Sequence, residues 1–380
     1  MRSLRVVAAA AAFTGLWWLA TVYGLHGGDW TALFCTGAER PPPPQLAAIS
    51  VRTFPGTGFD GQYYRYIAHD PFLIRGIAGG IQHASLRSRR ILVPLLAWAA
   101  ALGRPAAVDA AFIAVTFAFV MAGVWWSAQL AALAGFAPGW GLLFLALPST
   151  LLGLMRMTAP DVALCALTAA FAWHALSGGR RSLWIVLALA PLARETGIVL
   201  LLAWCGWLLL RRQWRSALIF SVAATPWLLW SAWVAHQTSG VYLPPQAGVL
   251  LTVRELAAAP LEHARSAPFA LLARALDWIA LASSWAAALL GLAQARRLRQ
   301  DPCAAACIGF ALLGLLLLNR SDWWRTYDHG RLLSPLLLLL ASSAALERRA
   351  LPALPLAGVL PRMLVLPASL LLDLAAKLMR

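Results

Sequence analysis

"LWIVLALAPLARETGIVLLLAWCGWLLL", residues 183–210, decides the fold. It is a 28-residue apolar block broken in its middle by Pro191 and by the charged pair Arg194 and Glu195. A straight transmembrane helix needs about 20 apolar residues. Read as one such helix, this block would bury both charges near the bilayer centre, at about 2.5–3.5 kcal/mol each. Two half-helices meeting at an "ARETG" turn on the membrane surface avoid that cost. Arg180-Arg181 and Arg211-Arg212 flank the block, and basic residues collect in cytoplasmic loops. Both ends are therefore expected inside, the turn outside, and the whole as a broken hairpin.

Outward from that hairpin the chain reads the same way. It has 380 residues, 61% hydrophobic and 12% charged, with a mean hydropathy of +0.71. Soluble proteins carry about 25% charged residues, and a membrane β-barrel would show short alternating segments. The expected class is an all-α polytopic membrane protein of about ten spans. Spans are predicted at about 4–25, 106–130, 138–157, 162–177, 214–236, 269–293, 303–319 and 331–346, with the hairpin between. A large first exterior loop covers 26–105. It includes the polyproline run "ERPPPPQ" (39–45) and the short apolar stretch 91–103, read as a helix at the outer face. Residues 1–346 form the membrane domain, and 347–380 an apolar tail read as an interfacial helix or hairpin. The N-terminus, basic and then apolar, reads as an uncleaved first span with its start in the cytoplasm.

The net charge of +16 does not indicate nucleic acid. Its arginines cluster at 180–181, 211–215, 296–299 and 348–349, between apolar blocks, and all four clusters fall on the cytoplasmic side of this topology. The five cysteines show neither a disulfide framework nor a zinc spacing. Cys303 and Cys307 are expected to pack as small apolar residues, and Cys35 has no partner in its loop.

Polar groups gather on the outer face. Asp60, Asp70 and Asp161 supply carboxylates; Arg156, Arg194, Arg320, Arg325 and Arg331 supply guanidinium groups; His69 and His329 supply imidazoles. Tyr63, Tyr64, Tyr66, Trp323, Trp324 and Tyr327 supply amphipathic rings. Guanidinium forks suit a lipid phosphate, and aromatic faces with polar edges suit a sugar. The densest run is "GFDGQYYRYIAHDPF", 58–72, a short helix that Asp70-Pro71 should end. Each residue also has a structural reading. "TGFD", 57–60, fits a capping box, with Asp60 tying down a helix start. The tyrosines fit an interfacial belt. Asp161 fits a first-turn acid, and Arg194 with Glu195 a self-satisfied ion pair. His329 fits a local hydrogen bond to Asp328, and Arg274 with Asp277 a structural pair.

"GFDGQYYRYIAHDP" (58–71) resembles the first-loop motif of membrane glycosyltransferases of the C-type fold, in the PIG-V-type and protein O-mannosyltransferase-like branches. "MTAPDVALCAL" (157–167), "LALAPLARETG" (187–197) and "YDHGRLLSPLL" (327–337) resemble, in order, that family's second-loop acid, its fifth-span motif and its late arginine-plus-proline entrance. The resemblance covers most of 1–346. It implies Asp60 as the catalytic carboxylate and Asp161 at the second-loop acid. It implies Arg194 and Arg331 near a donor phosphate, with Tyr63, Tyr64, Glu195 and His329 as further substrate-binding candidates. It implies a polyprenyl-phosphate-linked sugar as donor and a glycan, lipid or protein as acceptor, in a bacterial plasma membrane with its active face outside. The chain departs from many members by lacking a large C-terminal soluble domain. No second acid adjoins Asp60 or Asp161, so no obligatory metal is expected, and no cofactor. The rivals are a transporter or flippase for lipid-linked saccharides and a non-catalytic assembly protein. A transporter would carry polar residues along a path through several spans; a scaffold would need no convergent acid and arginines. Catalysis requires Asp60, Arg194 and Arg331 around one cavity at the membrane surface.

Overall fold

The structure, a computed structural model, describes residues 2–238, 267–317, 322–323 and 325–379. Most of the polar stretch 237–268, with Arg320 and Trp324, lies outside the described residues. The chain is an all-α, multi-pass membrane protein. Among the described residues seven helices are long and apolar enough to cross a membrane, or eight if one bent pair counts as a span.

Helix α1 (Arg2–Leu19) continues through a π-helical turn, Ala20–Leu25. The following loop carries a two-residue parallel ladder, β1 (Thr36–Gly37) against β2 (Thr53–Phe54), and then α2 (Gly61–His69), α3 (Ala84–Arg87) and α4 (Leu92–Ala100). The proline run is extended at Pro43 (ψ 145°), as polyproline II requires, before Pro44–Leu46 turns. Asp70 ends α2, and its carboxylate accepts from the Ile74 and Arg75 amides at 3.2 and 2.8 Å.

Helix α5 (Pro105–Leu133) starts on a proline, whose missing N–H is no loss at a helix start. The span expected at 138–157 is instead broken. A 3₁₀ segment, Pro138–Ala146, meets α6 (Pro148–Arg156) at 63°. Pro148 accounts for the break, because it disfavours helical backbone at Leu147, which is extended (ψ 138°). Helix α7 (Ala159–Ser177) is almost wholly buried and ends on left-handed Gly178.

The hairpin is present. Helix α8 (Arg180–Ala193) stops at Arg194, whose backbone is extended, and Glu195–Gly197 turns into α9 (Ile198–Leu210). The far ends of both arms reach α10 (Trp214–Ser221). Trp184 Nε1 donates to the Ile219 carbonyl at 3.3 Å, and Cys205 Sγ lies 3.6 Å from the Ala217 carbonyl oxygen. The arms therefore fold back on each other rather than running on as one rod.

After α11 (Thr225–Gln237) come α12 (Ala267–Ala293), α13 (Pro302–Leu317), α14 (Thr326–Glu347) and α15 (Leu354–Leu378). The tail is thus one continuous helix rather than a hairpin, long and apolar enough to cross a membrane. Its far end packs on the π-helical turn that follows α1, where Leu374 leaves no room for a Cβ on Gly24. Its middle supplies Arg362, which binds Asp277 at 2.6 Å and Tyr327 Oη at 2.8 Å. Asp277 also accepts from Thr326 Oγ1 at 2.7 Å, so Arg362, not Arg274, meets its charge within the core. Cys303 and Cys307 are buried among apolar neighbours as expected, and all five cysteines are free.

The loop module is tied to the bundle by a buried charge. Arg65, fully buried on α2, binds both Asp109 oxygens on α5 at 2.8 and 2.7 Å and the Ser50 carbonyl at 2.5 Å. His69 Nε2 sits 3.2 Å from the same carboxylate. Removing one partner of such a pair strands the other in a dry core, at about 3–5 kcal/mol. Asp109→Ala should therefore lower stability in detergent by about that amount, read as a melting-temperature drop. The double change Arg65→Met with Asp109→Leu should recover much of it.

Candidate functional site

The site is built where α2 abuts the α6–α7 turn. Gly61 opens α2 so close to the Arg156 carbonyl that a Cβ could not fit. That contact seats Asp60 beside the entrance of α7. Asp60 stands at the N-cap of α2, yet its side chain makes no capping bond. Instead Oδ1 accepts from Arg87 Nη2 at 2.7 Å, and Oδ2 lies 2.7 Å from Arg331 Nη1. The capping-box reading of Asp60 fails because two guanidinium groups outbid a backbone amide for the carboxylate.

Arg331, in the second turn of α14, lies 3.7 Å from Asp161 Oδ2 and 3.6 Å from Asp328 Oδ1. Asp161 does sit in the first turn of α7, as expected, but its other oxygen pairs with Arg194 from the hairpin turn. Alternating charges therefore run from Arg87 through Asp60, Arg331 and Asp161 to Arg194. They join four segments remote in sequence. Arg194 and Glu195 do not satisfy each other. Glu195 instead takes a bidentate pair from Arg90 at 2.6 and 2.8 Å, and Arg90 also donates to Tyr64 Oη at 2.7 Å.

The aromatic residues serve the same chain. The guanidinium groups of Arg156 and Arg331 lie 4.7 and 5.6 Å from the Phe59 ring centre. Arg87 stacks on Tyr63 at 4.1 Å, and Tyr63 Oη lies 3.3 Å from Gln82 Oε1. Tyr63, Tyr64 and Tyr66 are all buried, so they do not form an interfacial belt. His329 is not bonded to Asp328. Its Nδ1 lies 2.9 Å from Ser284 Oγ on α12, and its ring stacks on Trp323. It belongs to the α12–α14 packing, while Asp328 faces Arg331 and Arg325.

Burial opposes the charge on Asp60, but Arg331 and Arg87 outweigh it and hold the carboxyl well below the usual carboxylate range. As it stands, Asp60 is a stable anion and a weak base. The site is also nearly closed: the Asp60 side chain is 17% exposed and those of Asp161 and Arg194 only 4% and 6%. Three buried donors, Nε of Arg194 and Nε and Nη1 of Arg331, have no hydrogen-bond partner, although Nη1 of Arg331 lies in ion-pair contact with Asp60 and Asp161. An anion entering here would meet donors already desolvated and unspent. Among the described residues no three His, Cys, Asp or Glu groups are placed to hold one metal ion.

Arg87 and Arg90 were missed in the sequence. Their signal is "RSRR", 87–90, a basic run in the loop that the sequence topology expects outside, where basic runs are not called for. Gly61→Ala should push α2 off the Arg156 carbonyl and lower the melting temperature. Gly15→Ala, in open space on α1, should leave it unchanged or raise it, because alanine favours helix over glycine by about 1 kcal/mol. No family model, curated protein or solved structure matches the chain.

Proposed function

We propose that the chain is an integral-membrane glycosyltransferase that moves a sugar from a polyprenyl-phosphate donor to an acceptor hydroxyl, with inversion. The observation that carries this reading is the alternating chain of Arg87, Asp60, Arg331, Asp161 and Arg194. In the accompanying topology about ten spans cross a bacterial plasma membrane, and the site end faces outward, with loop 26–105 over it. The four arginine clusters then lie in the cytoplasm. The gathering of charge at one end of the bundle favours surface chemistry over a transport path.

The closed resting pairs suggest how the residues work. A lipid phosphate brings its own negative charge and competes with Asp60 and Asp161 for Arg331 and Arg194. As Arg331 turns to the phosphate, Asp60 loses a counter-charge and its basicity rises. Asp60 then accepts the proton of the acceptor hydroxyl while that oxygen bonds to the anomeric carbon. The carbon–oxygen bond to phosphate breaks, and its electron pair leaves with the lipid phosphate. The arginines stabilise the charge that grows on the leaving group. No separate cofactor is needed, because the phosphate bond is already activated.

The deciding experiment supplies membranes carrying the full chain with radiolabelled polyprenyl-phosphate sugars and follows label into envelope glycans. Asp60→Asn, at normal protein levels, should lose transfer by about 10²–10⁴-fold, the usual worth of a positioned acid–base group; full activity would remove Asp60 from the mechanism. Arg331→Ala should raise the donor concentration needed for half-maximal rate. It should also bring the acid limb of kcat/KM upward towards about pH 4, the ordinary carboxylate value, because the charge that depresses Asp60 is gone. An unmoved limb would separate Arg331 from Asp60.

A further inference from the structure

A roomy cavity lies at the other end of the bundle. The broken span, the last turns of α5 and α14 and the start of α15 enclose about 650 Å³ there. Its walls are apolar, with Leu130, Phe136, Trp140, Leu143, Leu338 and Leu360 among them. Arg348 and Arg349 line the same cavity, and both are exposed. Arg348 sits at the C-cap of α14 in a left-handed conformation (φ 54°), which turns the chain there. Its guanidinium reaches the end of α5, where a Cβ on Gly135 would come within 3.3 Å of Nη2.

Among the described residues neither arginine has an acidic partner. The neighbouring acid, Glu347, is occupied by Arg297 and Ser343. In the cavity wall Ser127 Oγ is buried with no hydrogen-bond partner. Apolar walls of this size suit a hydrocarbon chain. Two unpaired guanidinium groups at the rim suit a phosphate. The rim stands at the end of the spans that carries the other arginine clusters, which is headgroup depth. A zwitterionic headgroup offers little to two uncompensated cations, whereas an anionic one neutralises them.

We propose that this cavity binds an anionic phospholipid, one acyl chain in the pocket and the phosphate on Arg348 and Arg349, independently of the reaction at the far end. The lipid wedges the bend between Pro138–Ala146 and α6, filling space that this chain leaves open.

The test uses the full chain purified in detergent and exchanged into vesicles of phosphatidylcholine with or without phosphatidylglycerol. Lipids retained after delipidation are counted by native mass spectrometry, and melting is followed in parallel. Phosphatidylglycerol should be retained over phosphatidylcholine about tenfold and should raise the melting temperature. Arg348→Gln with Arg349→Gln should abolish the preference, and the matching lysine pair should keep part of it. Ala341→Phe, which fills the pocket and leaves both charges, should lose retention of either lipid. An unchanged preference in the glutamine pair overturns the proposal, as does full retention in Ala341→Phe. So does inorganic phosphate alone matching the phosphatidylglycerol shift. Should the glutamine pair fail to fold, Ala341→Phe decides.

Discussion

A charge placed under cover of a protein must find its opposite, and that constraint organises one end of this molecule. Asp60 is held by Arg87 from its own loop and by Arg331 from α14. Exposed ion pairs are worth at most about 1 kcal/mol, because water competes for both partners. These are mostly covered, so each partner depends on the other for solvation. The same dependence recurs where Arg194 meets Asp161 and where Arg90 meets Glu195. The first loop, the α6–α7 turn, the hairpin turn and α14 are consequently bound into one unit through charge rather than through apolar contact alone.

The two ends of the bundle use arginine differently. At the site end guanidinium groups alternate with carboxylates, and neutrality is reached among side chains. At the other end the arginines of the four clusters form no ion pair among the described residues, except Arg297 with Glu347. The first arrangement is costly to open and selective for an intruding anion. The second leaves guanidinium groups available to outside anions. Net charge alone, at +16, does not distinguish these uses; the pairing does.

The membrane class and the hairpin were legible because both follow from one-dimensional rules: apolar length, and the cost of stranding Arg194 and Glu195 in lipid. The break at Leu147 was equally local, since Pro148 announces it, but an apolar run with no charge in it does not advertise a bend. The partners were not legible. Asp60 looks like a cap because capping is a short-range rule, whereas Arg331 lies 271 positions away in the chain (331 − 60). Glu195 looked matched to the residue before it, yet adjacent side chains seldom face each other, and Arg90 reached it from 105 positions away. His329 was drawn in by its motif, while its neighbours on α12 decide its role.

Arg362 gives the order of assembly. Asp277 is buried in α12, and its guanidinium partner emerges from the ribosome 85 residues later. Until then the bilayer receives α12 without the partner that Asp277 has in the folded chain. Insertion of the first spans and completion of the core are therefore separate events in time, and a ribosome stalled before α15 would leave a threaded but unfinished bundle. Quality control that recognises polar side chains exposed to lipid would find its mark at Asp277 until α15 docks.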